Sequence, residues 1–545
     1  MLASYSGSPR VCVPANMLAV ISLLVAAAGA SNRAGAQTPR IAPPPPCRAT
    51  GSGAVVALTE LSRTPNVPVV VVLPLEARLS DGSQVHLASS VSAGVVERLD
   101  PLPGVSVPTA WSTERAWAEA GGRVDRLAGL LGARFVITGL VQSQRTGASI
   151  AVRLVETGKT VPAWEREFLY PQTSLRVVQD EVASAVMNAL GGKGPVRSSN
   201  DDAVDAATYD DVAMGDYYMA RHESWAPDSA RHAYARALAR TPKSAPLMAR
   251  LARAFALSLE RTGHAAPYSA PNAMREATSL VNSALALDST VADVWTAKAV
   301  LDRLRDPGTY SGAVRAHERA VRLAPRSADA RHEFAVTLLR LGRDQAAEAQ
   351  LRQVLAVDRD RAPSLRLLAE LEYLARRYAN ACALVNASIG ADSYDPFAYG
   401  LRARARLRLD EARDAFSDAE TARRLSGAAW GETLEFYLTA VARDFDTAKS
   451  ASRRMSDVRL RAGTTLGVRE AAYLGMGMSA TGNRDKAFDA LSRARPRGAE
   501  LQMALRDPGF DVLRSDPRFA RILRADPVPA PARRAGSGVR APGPR

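Results

Sequence analysis

The chain has 545 residues, 47% of them hydrophobic and 23% charged. Those proportions exclude collagen, bulk disorder and a multi-pass membrane protein, and 3 cysteines exclude a disulfide scaffold. The length allows about three or four domains at roughly 150 residues each, and the net charge of +15 raises nucleic acid as a partner.

That charge has a simpler source. Only 6 of the 71 basic residues are lysine, a skew towards arginine that accompanies frequent alanine and points to GC-rich codon usage. Phosphate-binding proteins cluster their cations on one face or stripe. Here arginines are spread along helices with acids nearby, as in Arg340, Asp344 and Glu348. No nucleic-acid partner is expected. The remaining basicity suits acidic protein partners or proximity to a membrane surface.

Residues 1–36 read as a secretory signal peptide. Arg10 precedes an apolar run from Met17 to Ala28, and small-residue sites follow at Ala28-Gly29-Ala30 and Ala34-Gly35-Ala36. The expected location is periplasmic or secreted, with an uncleaved inner-membrane anchor as the alternative. Residues 37–53, with four consecutive prolines, form a stiff linker. Pro43 to Pro46 stand where a lipobox would precede Cys47, so lipidation is not expected. Cys47 and Cys382 remain in the mature chain and are expected to be unpaired.

Residues 54–192 mix strand and helix signals in the order β-α-β-α-β-β-β-α. Val67 to Leu75 is a continuous β-branched run, expected as a buried strand. Gln84 to Leu99 carries apolar residues at helical spacing. Gly104 to Val107 is expected as a short strand and Arg123 to Leu131 as a second helix. Phe135 to Val141 and Ser149 to Val155 are strands split by a turn at Arg145-Thr146-Gly147. Ala163 to Phe168 pairs further, and Leu175 to Leu190 is an amphipathic helix. The fold class is therefore an α/β domain followed by an all-α solenoid.

Several of these segments carry a resemblance. They are Val71 to Leu75, Leu131 to Gly139, Val152 to Gly158, Trp164 and Gln179-Asp180-Glu181. In this order they resemble the TolB amino-terminal-like domain of bacterial envelope and regulatory proteins. The resemblance implies a non-catalytic domain used in protein association. Leu75 departs from it, since that family more often has an aromatic there.

After a linker at 193–208, residues 209–496 repeat. A small residue, a bulky one four later and alanine three after that recur in Ala230-Tyr234-Ala237, Ala277-Val281-Ala284, Ala313-His317-Ala320 and, with valine last, Ala347-Leu351-Val354. Ala381-Val385-Ser388 is a looser version, Ala412-Phe416-Ala419 fits, and a last unit holds Leu474, Gly475, Gly482, Ala487, Leu491 and Ala494. Ala313, Ala347 and Ala381 recur every 34 residues. The pattern resembles tetratricopeptide (TPR) repeats, in about seven or eight units. Residues 497–526, with Asp507-Pro508-Gly509-Phe510 and Asp516-Pro517-Arg518-Phe519, are expected to cap the last helix pair, which has no neighbour to pack on. Residues 527–545 read as a disordered basic tail.

No motif carries chemistry. His222-Glu223, His317-Glu318 and His332-Glu333 each lack the second histidine of a zinc helix. His317 falls at a packing position. No catalytic, cofactor or metal residues are assigned, and no cofactor is expected. Stacked helix pairs present a concave groove lined by their first helices. In the clearest region His332, Val336, Arg340, Arg366, Glu370 and Tyr373 would line it and bind a protein or peptide. The expected function is an exported interaction adaptor or scaffold. The alternative is a cytoplasmic-facing signalling or transcription-associated regulator, because relatives of this domain pair are often joined to cyclase or winged-helix domains.

Overall fold

The computed structural model describes residue 47, residues 67–78 and 86–99, most of 102–192, and most of 205–524. Gaps in the last stretch are 222–224, 263–268, 307–309, 360, 427–428, 443–465 and 496–497. The expected signal segment, most of the proline linker, residues 193–204 and the basic tail lie outside the described residues.

The α/β domain contains β1 (Val69–Val72), β2 (Glu76–Arg78), α1 (His86–Leu99), α2 (Val124–Leu131), β3 (Ala133–Gln144), β4 (Gly147–Glu156), β5 (Trp164–Tyr170) and α3 (Leu175–Ala189). β1 and β2 both pair in parallel with β3, while β3, β4 and β5 are antiparallel neighbours. The β3–β4 hairpin closes through Arg145 and Thr146. Gly147 follows at φ 113, where a side chain would strike the Tyr170 carbonyl.

Two-sided burial explains the unbroken valine run in β1. Val70 and Val72 pack with Leu87, Val91 and Val95 of α1 and with Val178 and Val182 of α3. Val71 faces Leu127 and Ala128 of α2 on the other side. The strand expected at Gly104 to Val107 is reduced to a single bridge between Val69 and Ser106. The proline-bounded segment is too short to extend the pairing.

Helix pairs then follow: α4 (Ala206–Met219) with α5 (Ala226–Arg240), α6 (Ala245–Thr262) with α7 (Ala270–Leu287), and α8 (Ala292–Arg305) with α9 (Ser311–Leu323). Next come α10 (Ala328–Arg340) with α11 (Asp344–Val357), α12 (Ala362–Leu374) with α13 (Tyr378–Ala391), and α14 (Pro396–Leu407) with α15 (Ala412–Ser426). α16 (Ala429–Val441) precedes the pair α17 (Val468–Ala480) and α18 (Arg484–Ser492). The spaced alanines do what the period requires. Ala230, Ala277, Ala313, Ala347 and Ala381 are fully buried, so each second helix sits close against its first. His317 is buried too, stacked on Phe334 with ring centroids 5.5 Å apart.

The sixth unit corrects the sequence register. Ala419 is buried as expected, but the buried partners at its spacing are Ala415 and Ala422, while Ala412 and Phe416 are only half-buried. Ala415 lies 34 residues after Ala381, so the period continues unbroken. Ala419 takes the place of the bulky residue, and Phe416 packs half-buried on the same cluster. Beside Ala419, Asp418 pairs with Arg402 at 2.7 Å and Arg406 at 2.6 Å, all three buried.

The α/β domain and solenoid are joined by packing. Gln179 of α3 donates to the Ser90 carbonyl of α1 at 2.8 Å and accepts from Tyr209 of α4 at 2.7 Å. Asp210 of α4 accepts from the Leu175 amide at the start of α3.

Two expectations about the chain ends are corrected. Cys47 and Cys382 are joined in a disulfide, with Cα atoms 6.2 Å apart, so they are not the unpaired cysteines expected. Cys47 is buried beside Leu355 of α11 and Cys382 of α13. The final segment, moreover, does more than cap the last pair. After β6 (Leu466–Gly467) and β7 (Ala494–Arg495), it forms α19 (Ala499–Ala504), a 3-10 turn (Pro508–Leu513) and α20 (Pro517–Arg524). Phe510 and Phe519 do pack on the last unit, but Ala499 to Asp511 runs back over the pairs containing α8 to α15.

Candidate partner-binding face

Successive first helices are linked by a ladder of charges. Arg303 of α8 bonds Glu260 of α6 and Glu333 of α10, each at 3.0 Å. Arg253 of α6 reaches Asp329 of α10 at 2.9 Å, two pairs away, which requires a tightly curved inner face. Arg361 binds the same Asp329. Arg404 of α14 bonds Glu370 of α12 at 3.1 Å.

The ladder stays ionised although it is shielded. Burial would raise Glu333, but Arg303, His332 and Arg253 outweigh it and hold its carboxyl at about 2. Asp329 is likewise held far below the usual carboxylate range by Arg253 and Arg361 against the effect of burial. Many arginines that make the net charge positive are thus bonded within the protein.

The six candidate groove residues divide between two helices. On α10, His332 shares a 2.8 Å hydrogen bond with Ser364, and burial pulls its imidazole down to about 4. Val336 packs among Leu338, Leu367, Leu371 and Met503. Arg340 lies 3.9 Å from Glu260 and within the field of Glu500. On α12, Arg366 donates to Asp395 at 2.7 Å and stacks over Phe397.

Glu370 is held by Arg404. Tyr373 corrects the expectation outright: it is 0% exposed, and its hydroxyl donates to Asp507 at 3.1 Å. The inner face at α10 to α14 is therefore filled by the chain's own final segment.

Sequence reasoning missed the anchors of that contact. Arg404 donates to Asp507 at 2.6 Å while its guanidinium lies 4.7 Å from the Tyr373 ring centroid. Arg506 binds Asp344, and Arg376 binds Asp511 at 2.8 Å. Arg469 of α17 stacks on Phe397 at 4.3 Å, beside Arg366. One signal was available, since Val336, Glu370 and Arg404 recur every 34 residues. Extending the period one more unit would have placed Arg404 on this face. Nothing local marked Asp507 as its partner.

Among the described residues there is no group of three or more His, Cys, Asp or Glu placed to hold a metal ion. No described helix is long and apolar enough to cross a membrane.

These features define a helix-pair solenoid of the TPR type with an α/β domain at its start. Residues 304–371 match the tetratricopeptide repeat family. No curated protein matches the sequence. Among solved structures, the chain is similar to yeast Tom70, with 13% identity over 81% of this chain and 84% of that one (TM-score 0.34). It is similar to PilF of Pseudomonas aeruginosa, with 19% identity over 40% of this chain and 95% of that one (TM-score 0.33). A third similarity is to the Cut9–Hcn1 hetero-tetramer of the APC/C, with 10% identity over 65% of this chain and 63% of that one (TM-score 0.43).

Proposed function

We propose that this protein is an exported, non-catalytic adaptor that holds a protein or peptide segment on the inner face of its repeats. The observation that carries the reading is the charged ladder of the first helices, a face that already receives an extended segment at its far end. Stacked helix pairs give such a segment a long, curved contact with polar groups at regular intervals. The part nearer the α/β domain, around Asp216, Arg250 and Asp293, is the entry for a partner. The α/β domain, with its TolB-like series of motifs, serves as a second docking or dimerising module.

Export is supported by the leader pattern and by the disulfide, because such bonds persist in oxidising compartments. The competing reading, a cytoplasmic-facing regulator, makes the opposite prediction for both. A phosphatase fusion at residue 192 distinguishes them: activity outside the cytoplasm supports export, and an inactive fusion beside a fluorescent cytoplasmic one refutes it.

The adaptor role is tested by capture from an envelope extract with the chain lacking residues 1–36. Arg250 is half-buried and lies 3.4 Å from Asp216. Arg250→Glu should reduce capture at least tenfold with the fold intact by circular dichroism. Undiminished capture by a chain ending at residue 204 would remove the solenoid from the function.

A further inference from the structure

We propose that Ala499 to Asp507 is a tethered ligand of the inner face, and that the partner taking its place is a segment that brings a carboxylate and an Asp-Pro turn to Arg404 and Tyr373. This rests on the reading of the inner face as the partner-binding surface.

The contacts resemble recognition of a peptide more than continuation of a repeat. The segment contains one six-residue helix and runs into a 3-10 turn, neither able to stand alone. It enters through Gly498 at φ 94, a backbone conformation open to glycine and a natural pivot. It then crosses the ends of successive first helices and the turns that follow them. Ala499 packs on Tyr310 and Ala313, Met503 on the cluster of α10 and α12, and Arg506 reaches Asp344. Charge anchors span three repeats on this side, while Leu501, Leu505, Phe510 and Leu513 face the other way into the apolar cluster of the last unit.

The central anchor defines the ligand chemistry. The Asp507 carboxylate receives Arg404 at 2.6 Å and Tyr373 at 3.1 Å, while also accepting from the Gly509 amide at 2.7 Å. That last bond, with Pro508, sets the kink that turns the chain off the face towards Phe510. An incoming segment must therefore bring a carboxylate to Arg404 and Tyr373 and turn immediately after it.

The second Asp-Pro copy acts as the tether. Asp516 accepts from the Arg518 amide at 2.9 Å, Arg518 binds Asp485 of α18 at 2.7 Å, and Phe519 is buried against Phe510. With that clip closed, residues 499–507 can leave the inner face while Phe510 and Leu513 stay buried in the last unit.

The test uses a fluorescein-labelled synthetic peptide of residues 499–509 and the full mature chain. Arg506→Glu with Asp507→Lys places like charges against Asp344 and Arg404 and leaves Phe510 and Phe519 in place. By anisotropy, the peptide should bind this loosened chain at least tenfold more tightly than wild type, and adding Arg404→Glu should abolish the gain. Failure of the peptide to bind a loosened chain that keeps its circular dichroism would overturn the proposal.

Hydrogen exchange on the wild type is a second, independent test. Amides of 499–507 must exchange faster than those of α17 and α18, and equal protection also overturns the proposal. Neither measurement involves an outside partner, so a failed extract capture refutes the adaptor reading without touching this result.

Discussion

Asp418 is the residue whose loss should be felt most for its size. Its carboxylate is fully buried between Arg402 (Nη2–Oδ1 2.7 Å) and Arg406 (Nη1–Oδ2 2.6 Å). Burial raises Asp418 and lowers Arg406, against the pull of the pairing, so desolvation is the larger effect on both. Each contact is worth about 4 kcal/mol of Coulomb attraction at an effective dielectric near 20. Most of that only offsets the cost of bringing the ions out of water.

Asp418→Ala removes the attraction and keeps the cost. Asn386 at 2.8 Å from Arg402 and Glu411 at 3.6 Å from Arg406 soften the loss. The expected destabilisation is about 3–5 kcal/mol, the range for breaking a buried ion pair from one side.

Urea unfolding followed by circular dichroism measures the total. Hydrogen exchange should place the damage in α14 and α15 and leave α5 and α6 protected, because at least three helix pairs lie between them. Replacing Arg402, Arg406 and Asp418 together by Leu, Leu and Ala should recover part of the loss, since no guanidinium is then buried without its carboxylate and only the 3.6 Å contact of Glu411 with Arg406 is given up. A loss below about 1 kcal/mol in Asp418→Ala, or no recovery in the triple variant, would refute the argument.

The other predictions concern the staple, the domain interface and helix packing. Cys47→Ser removes a cross-link closing 335 residues; the chain-entropy model sets a ceiling of about 5–6 kcal/mol, read as a fall in Tm that reductant reproduces in wild type only. Wild type with the same Tm in reductant would contradict it. His86 is buried at the interface of α1 and α4, with no hydrogen-bond partner for either ring nitrogen, and its imidazole is pulled down to about 4 by burial and by Arg236. The unfolded chain therefore takes up its proton first, and stability falls as pH drops from about 6.5 to 4, by up to about 3 kcal/mol. Asp210 at the same interface is pushed up to about 6 by burial, so its contribution has the opposite sign and is lost as pH rises through 6. His86→Leu should flatten the acid side of the Tm profile, and an unchanged slope would assign the acid loss elsewhere. Gly477→Ala places a methyl 2.5 Å from the Phe436 ring and should cost about 1–3 kcal/mol, measured by urea unfolding.

Periodicity made much of this protein legible. Ala313, Ala347 and Ala381 announced helix pairs because close helix approach demands a small residue at a fixed place in each unit. The unbroken valines of β1 announced a strand covered on both faces. The spacing misleads at Ala412, where Phe416 fits the bulky position and shifts the register by three residues, almost one helical turn. A buried ion triad lies beside Ala419, and no apolar pattern reports one. Spacing also places the candidate groove on α10 and α12, but as an open surface. Tyr373 shows why that fails: its exposure depends on Asp507, more than 130 residues later.

By itself, then, the sequence determined what depends on neighbours along the chain: the helix pairs, their 34-residue spacing, the hairpin at Arg145 and Thr146, and the side of each helix that carries its small residues. Only the tertiary structure decided what depends on contacts between distant segments. The joining of Cys47 to Cys382, the docking of α4 on the α/β domain and the return of Ala499 to Asp511 over the inner face are of this kind. Local spacing encodes which side of a helix is apolar or charged. It does not encode which remote segment the curved array will bring against that side.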